Sequence, residues 1–136
     1  MRRECKCEVP EYLGEIRPGY CWCGGIVSSD WISSDKTFQD FLRQLAPLPG
    51  VTPRVVQHSQ GRERAGRVEF GLAYLSRNNP LEGQEEAADG LNYSFFESLK
   101  DIRAGEQEID PDLLDAAHHF ALAHAALDRR RARKGE

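Results

Sequence analysis

The chain has 136 residues, 40% of them hydrophobic and 29% charged, with a formal net charge of −4. That length suits one domain, or a small metal-held lobe beside one modest core, and the composition excludes disorder as the default. No apolar run is long enough to cross a bilayer, and no apolar h-region follows Met1-Arg2-Arg3-Glu4, so a cytoplasmic protein without a membrane partner is expected.

The charge is uneven. Residues 1–81 carry a net +2, residues 82–115 a net −9, and residues 116–136 a net +3. The acidic middle repels free nucleic acid, whereas the tail attracts it weakly.

All four cysteines fall in the first 23 residues, as Cys5-Lys6-Cys7 and Cys21-Trp22-Cys23. Thiolates at i and i+2 on an extended or knuckled backbone face the same side, and two such pairs supply the four sulfurs of a tetrahedral zinc site. Arg17-Pro18-Gly19-Tyr20 reads as a turn between the pairs, with proline fixing φ at one position and glycine free to take positive φ at the next. Gly24 and Gly25 would let backbone amides approach the sulfurs. Two disulfides, an iron–sulfur cluster and free thiols are the alternatives. Four thiolates fill the coordination shell, so a structural zinc ion held by Cys5, Cys7, Cys21 and Cys23 is expected, with Trp22 as a cap over the lobe.

Phe38, Phe41, Leu42 and Leu45 follow helical spacing, with Ser34 or Asp35 as the expected cap and Pro47 and Pro49-Gly50 as the stop. Val55-Val56 reads as a short strand, and Ser59 to Gly66 as a loop. That loop, with Arg67 just beyond, would present Arg62, Arg64 and Arg67 either to solvent or to phosphates. Residues 67–77 fit a strand or a helix, and we favour the helix, because Asn79 as N-cap and Pro80 as first residue mark the start of the next one. From Pro80 to about Arg103, Leu81, Ala88, Leu91, Phe95, Leu99 and Ile102 recur at threes and fours. Asp110 caps a last helix that Pro111 opens. Leu113, Leu114, Ala117, Phe120, Ala121 and Leu127 line its apolar face, and Arg129-Arg130-Arg131 close it where the helix dipole favours positive charge.

The expected fold is mainly α: a turn-rich zinc-binding lobe over residues 1–32 and a helical bundle over residues 33–136, packed as one unit.

Glu82, Glu85, Glu86 and Asp89 differ by three, four and seven, so they share one side of a helix, where they repel unless a cation or basic partner neutralises them. Magnesium suits such carboxylates. The segment Glu85-Glu86-Ala87-Ala88-Asp89-Gly90-Leu91-Asn92-Tyr93 resembles the second acidic helix of MazG-like nucleotide pyrophosphohydrolases. That resemblance implies an all-α, magnesium-dependent and usually oligomeric enzyme that cleaves nucleoside triphosphates to monophosphate and pyrophosphate. Glu86 and Asp89 would match the family's Glu-x-x-Asp, with Glu85 beside them as a further possible magnesium ligand. The family's first motif, Glu-x-x-Glu on the preceding helix, is missing, and Glu69 is the only acidic residue on the candidate segment.

His118, His119 and His124 differ by one, five and six, which is wrong for sharing one metal on a helix face. No nucleophile elbow, P-loop or His-Glu-x-x-His is present. The leading expectation is therefore a zinc-stabilised interaction protein with no catalysis of its own, meeting a protein partner through its acidic helix or arginine loop. A magnesium-dependent pyrophosphohydrolase is the first alternative and nucleic-acid binding through Arg62, Arg64, Arg67 and the tail the second. A dimer is compatible with all three.

Overall fold

A computed structural model describes residues 3–7, 20–23 and 25–136. The expected turn at residues 17–20 and the role of Gly24 lie outside the described residues, except for Tyr20. The described chain is mainly helical: α1 (Ser29–Leu45), α2 (Pro53–Phe70), a 3-10 turn (Ala73–Ser76), α3 (Asn79–Arg103) and α4 (Pro111–Arg133). None of these helices is long and apolar enough to cross a membrane. Contacts divide the chain into two compact units, Met1–Ala73 and Tyr74–Glu136, so α1 and α2 group with the cysteine segment.

In the first unit, α1 begins at Ser29, earlier than the expected cap at Ser34 or Asp35. Ser28 accepts the first turn's hydrogen bond from Ile32 N–H at 3.1 Å, and Asp35 is spent elsewhere, on an ion pair to Arg67 at 3.0 Å. Leu42 is the buried member of the expected apolar face, while Phe41 stays exposed.

The strand at Val55-Val56 and the arginine loop that follows are corrected: both belong to α2. Thr52 Oγ1 accepts from Val55 N–H at 3.3 Å and Pro53 occupies the first turn, which together start a helix that two β-branched residues do not stop. Gly71, at φ +62°, ends α2 by turning left-handed while its N–H bonds Arg67 C=O at 2.9 Å. Residues 67–77 are therefore the end of one helix, a break, and a 3-10 turn.

In the second unit, α3 and α4 form an antiparallel hairpin. Asn78, one residue before the expected cap, accepts from Leu81 N–H at 3.2 Å, and Asp110 caps α4 by accepting from Asp112 N–H at 2.8 Å. The seam is built of small and polar residues. Gln84, Ala87, Ser94 and Ser98 are the buried side chains of α3. Ser98 Oγ donates back to Ser94 C=O at 2.9 Å, which satisfies a hydroxyl that α4 covers. Gln84 ties the helices at their open end: Nε2 donates to His124 C=O at 3.3 Å and to Asp128 Oδ1 at 3.2 Å, and Oε1 accepts from Arg131 Nη1 at 2.7 Å. The apolar series expected to be the core of α3 is not the buried one. Leu81, Leu91, Phe95 and Ile102 all remain substantially exposed, because the seam runs along the adjacent flank of the helix.

Candidate metal centre

Ile26 organises the cysteine segment. Its backbone bridges Glu4 on one side and Tyr20 on the other, with Cys5 N–H donating to Ile26 C=O and Ile26 N–H to Arg3 C=O, both at 2.8 Å. Cys21 N–H donates to Gly25 C=O at 2.9 Å, folding the second pair into a tight knuckle. Gly25 is required by space. A Cβ there would stand 2.7 Å from both Cys5 Cα and Cys5 N, so only glycine lets the two cysteine pairs come this close.

These bonds bring the four sulfurs within 4.8 Å of one another. Cys23 Sγ lies 3.6 Å from Cys5 Sγ, and Cys21 Sγ lies 3.8 Å from Cys7 Sγ, far beyond the disulfide bond length of about 2.05 Å. Gly25 N–H also points at Cys23 Sγ, at 3.4 Å, a donor placed to stabilise negative charge on sulfur. Four convergent thiol groups can hold a metal ion.

Two of the thiols hold their protons more tightly than a free cysteine does. The Cys7 thiol is pushed up from 9.0 to about 12, chiefly by hydrogen bonding with Cys23, then with Cys5 and Cys21. The Cys5 thiol is raised as well, first by burial. Raised in this way, Cys5 and Cys7 hold their protons in the metal-free chain, whereas a bound cation would invert that balance and make the thiolate the favoured form. Cys21 is almost fully buried, and Trp22 projects into solvent, 70% exposed. It is not a cap over the lobe.

The other sequence-selected residues are scattered. Arg67 is buried, held by Asp35 at 3.0 Å and Glu63 at 2.7 Å, so it supports α2 and is not available to a phosphate. Arg62 and Arg64 are exposed two residues apart on a helix, where they point different ways. Glu82, Glu85, Glu86 and Asp89 are exposed on α3, with Glu82 3.9 Å from Arg77. Among the described residues they form no cluster of three converging ligand atoms. Glu86 and Asp89 do share the lip of a groove of about 450 Å³ with Tyr93, Phe120 and Ala123.

A second cluster was hidden in the sequence. Asp115, His118 and His119 bring their ligand atoms within 4.8 Å, all exposed, with His119 Nδ1 3.8 Å from Asp115 Oδ1. Counting histidines alone missed it, since the carboxylate supplies the i, i+3 and i+4 spacings. His124 is exposed, not packed on the apolar face; its contribution to the seam is its carbonyl.

Comparison with known protein families, curated proteins and solved structures finds no match to this chain.

Proposed function

We propose that this is a small zinc-stabilised interaction protein, in which the four-cysteine site fixes the amino-terminal fold and the acidic face of α3 meets a basic protein partner. The observation that carries the zinc assignment is the pair of sulfur–sulfur distances, 3.6 and 3.8 Å. A tetrahedral zinc–thiolate site with bonds of about 2.3 Å separates its sulfurs by about 3.8 Å. Four thiolates close the shell to substrate and to water, which supports a structural role. Glu85, Glu86 and Asp89 supply an exposed acidic surface of the kind that steers and orients a basic partner.

The test pairs capture with charge reversal. Immobilised protein should retain a specific partner, identified by mass spectrometry, and Glu85→Lys with Glu86→Lys and Asp89→Lys should abolish retention while the metal stays bound. A partner held equally well by the reversed variant would remove α3 from the interface.

One observation favours a second reading, the magnesium-dependent pyrophosphohydrolase suggested by the MazG-like segment. Glu86 and Asp89 stand over a groove with Tyr93 and Phe120 in its lining, which would suit a magnesium–nucleotide complex. Incubation with nucleoside triphosphates and Mg²⁺ decides it: pyrophosphate release lost in Asp89→Ala supports the enzyme. Release no greater than that of the variant excludes it.

A further inference from the structure

We infer that the α3–α4 hairpin docks against a second copy of itself through the flank opposite its groove, closing a four-helix bundle. This goes beyond the partner proposed above and does not depend on the metal. Glu86 and Tyr93 of α3 and Ala123 of α4 line one groove and so mark one side of the hairpin. Residues turned to the other side of the seam share the opposite face: Leu81, Leu91, Phe95 and Ile102 of α3, with Leu114 and Ala121 of α4. The five large side chains in that set are between 36% and 60% exposed. An amphipathic helix forms because its apolar stripe is buried against something, and here the seam with α4 consumes a different stripe.

Area and charge together select a second copy as the occupant. Helices of 25 and 23 residues give a face about 35 Å long and about 20 Å wide, or on the order of 700 Å², close to the ~800 Å² each partner buries in a standard interface. The charge pattern is self-complementary. Beside this face α3 carries Glu85 in its second turn and Arg103 in its last, both exposed and about five full helical turns apart, so they share one edge of the flank. When two antiparallel hairpins meet face to face about a two-fold axis, each helix lies over an antiparallel neighbour, whether that neighbour is its own counterpart or the other helix. With α3 over its own counterpart, Glu85 of each copy meets Arg103 of the other, and the same patch serves both copies, as an isologous interface requires.

Sedimentation equilibrium on the full chain, from micromolar to near-millimolar concentration, tests this. The wild type should sediment as a dimer. Phe95→Asp and, separately, Leu114→Asp should each raise the dissociation constant at least about tenfold, with helicity retained by circular dichroism. Tyr93→Asp, on the groove side, should leave the dimer intact. Should a charged variant lose helicity, Phe95→Ser and Leu114→Ser replace it, with the same expected weakening. A wild type that is monomeric throughout the range overturns the proposal, including one whose α3 flank is protected from exchange by another part of its own chain. So does a dimer indifferent to both substitutions.

Discussion

Gly90 of α3 lies against the ring of Phe120 of α4 so closely that a Cβ on the glycine would stand 2.5 Å from Phe120 Cε1. The hairpin is therefore gauged by a missing side chain. At Gly83, the corresponding neighbour is the Cδ1 of Leu127, at 2.8 Å from a Cβ, and this is the far end of a flexible side chain.

Gly90→Ala should destabilise the second unit by about 1–3 kcal/mol, because the Phe120 ring can make room only by moving as a whole. Gly83→Ala should be much milder, since Leu127 can rotate away and alanine regains about 1 kcal/mol of helix propensity. Thermal unfolding followed at 222 nm separates the two. Equal losses would mean that the ring contact does not set the spacing.

Arg67 of α2 ties that helix to α1, buried between the carboxylates of Asp35 and Glu63. Arg67→Ala should cost about 2 kcal/mol or more, since it strands two half-buried carboxylates, while Arg64→Ala should fall within about 0.5 kcal/mol of wild type. Urea unfolding of the two variants provides the comparison.

Much of the helical framework is legible in the sequence where a cap and a proline coincide. Asp110-Pro111 places the start of α4 correctly, and Asn78-Asn79-Pro80 places α3 within one residue. Thr52-Pro53 carries the same signal for α2, but Val55-Val56, Gly61 and Gly66 obscure it, because β-branched residues and glycines lower local helix propensity that a capped 18-residue segment can override. The cysteine cluster follows from spacing alone. The α3–α4 seam does not, since hydrophobic periodicity locates the apolar stripe, whereas these helices close along Gly83, Ala87, Gly90 and Ser94, where small size permits the approach. Asp115 escaped for a related reason: a mixed carboxylate–histidine set has no single residue type to count.

Trp22→Ala should leave metal retention and thermal stability unchanged within measurement, because the indole is mostly in solvent. Metal content and melting temperature are the readouts. A large loss in either would place the ring over the cluster in solution.

The raised Cys5 and Cys7 thiols give the metal-free and metal-bound chains opposite pH dependence. In the metal-free chain the folded state holds these protons more tightly than the unfolded one. Its contribution to stability is then complete below the ordinary thiol value of 9.0 and is lost as pH climbs toward about 12. With a metal bound, the thiolate is the native form, so protons compete with the ion and stability falls as pH is lowered. Melting curves across pH, with and without chelator, should therefore bend in opposite directions.

The most direct measurement is the metal content and sulfur coordination of the purified full chain. One zinc ion per chain is expected, with X-ray absorption giving four sulfur neighbours at about 2.3 Å, and Cys21→Ser lowering metal content with loss of the amino-terminal fold. Protein that carries no metal after zinc loading, or whose zinc is bound by nitrogen and oxygen, would contradict a site formed by Cys5, Cys7, Cys21 and Cys23.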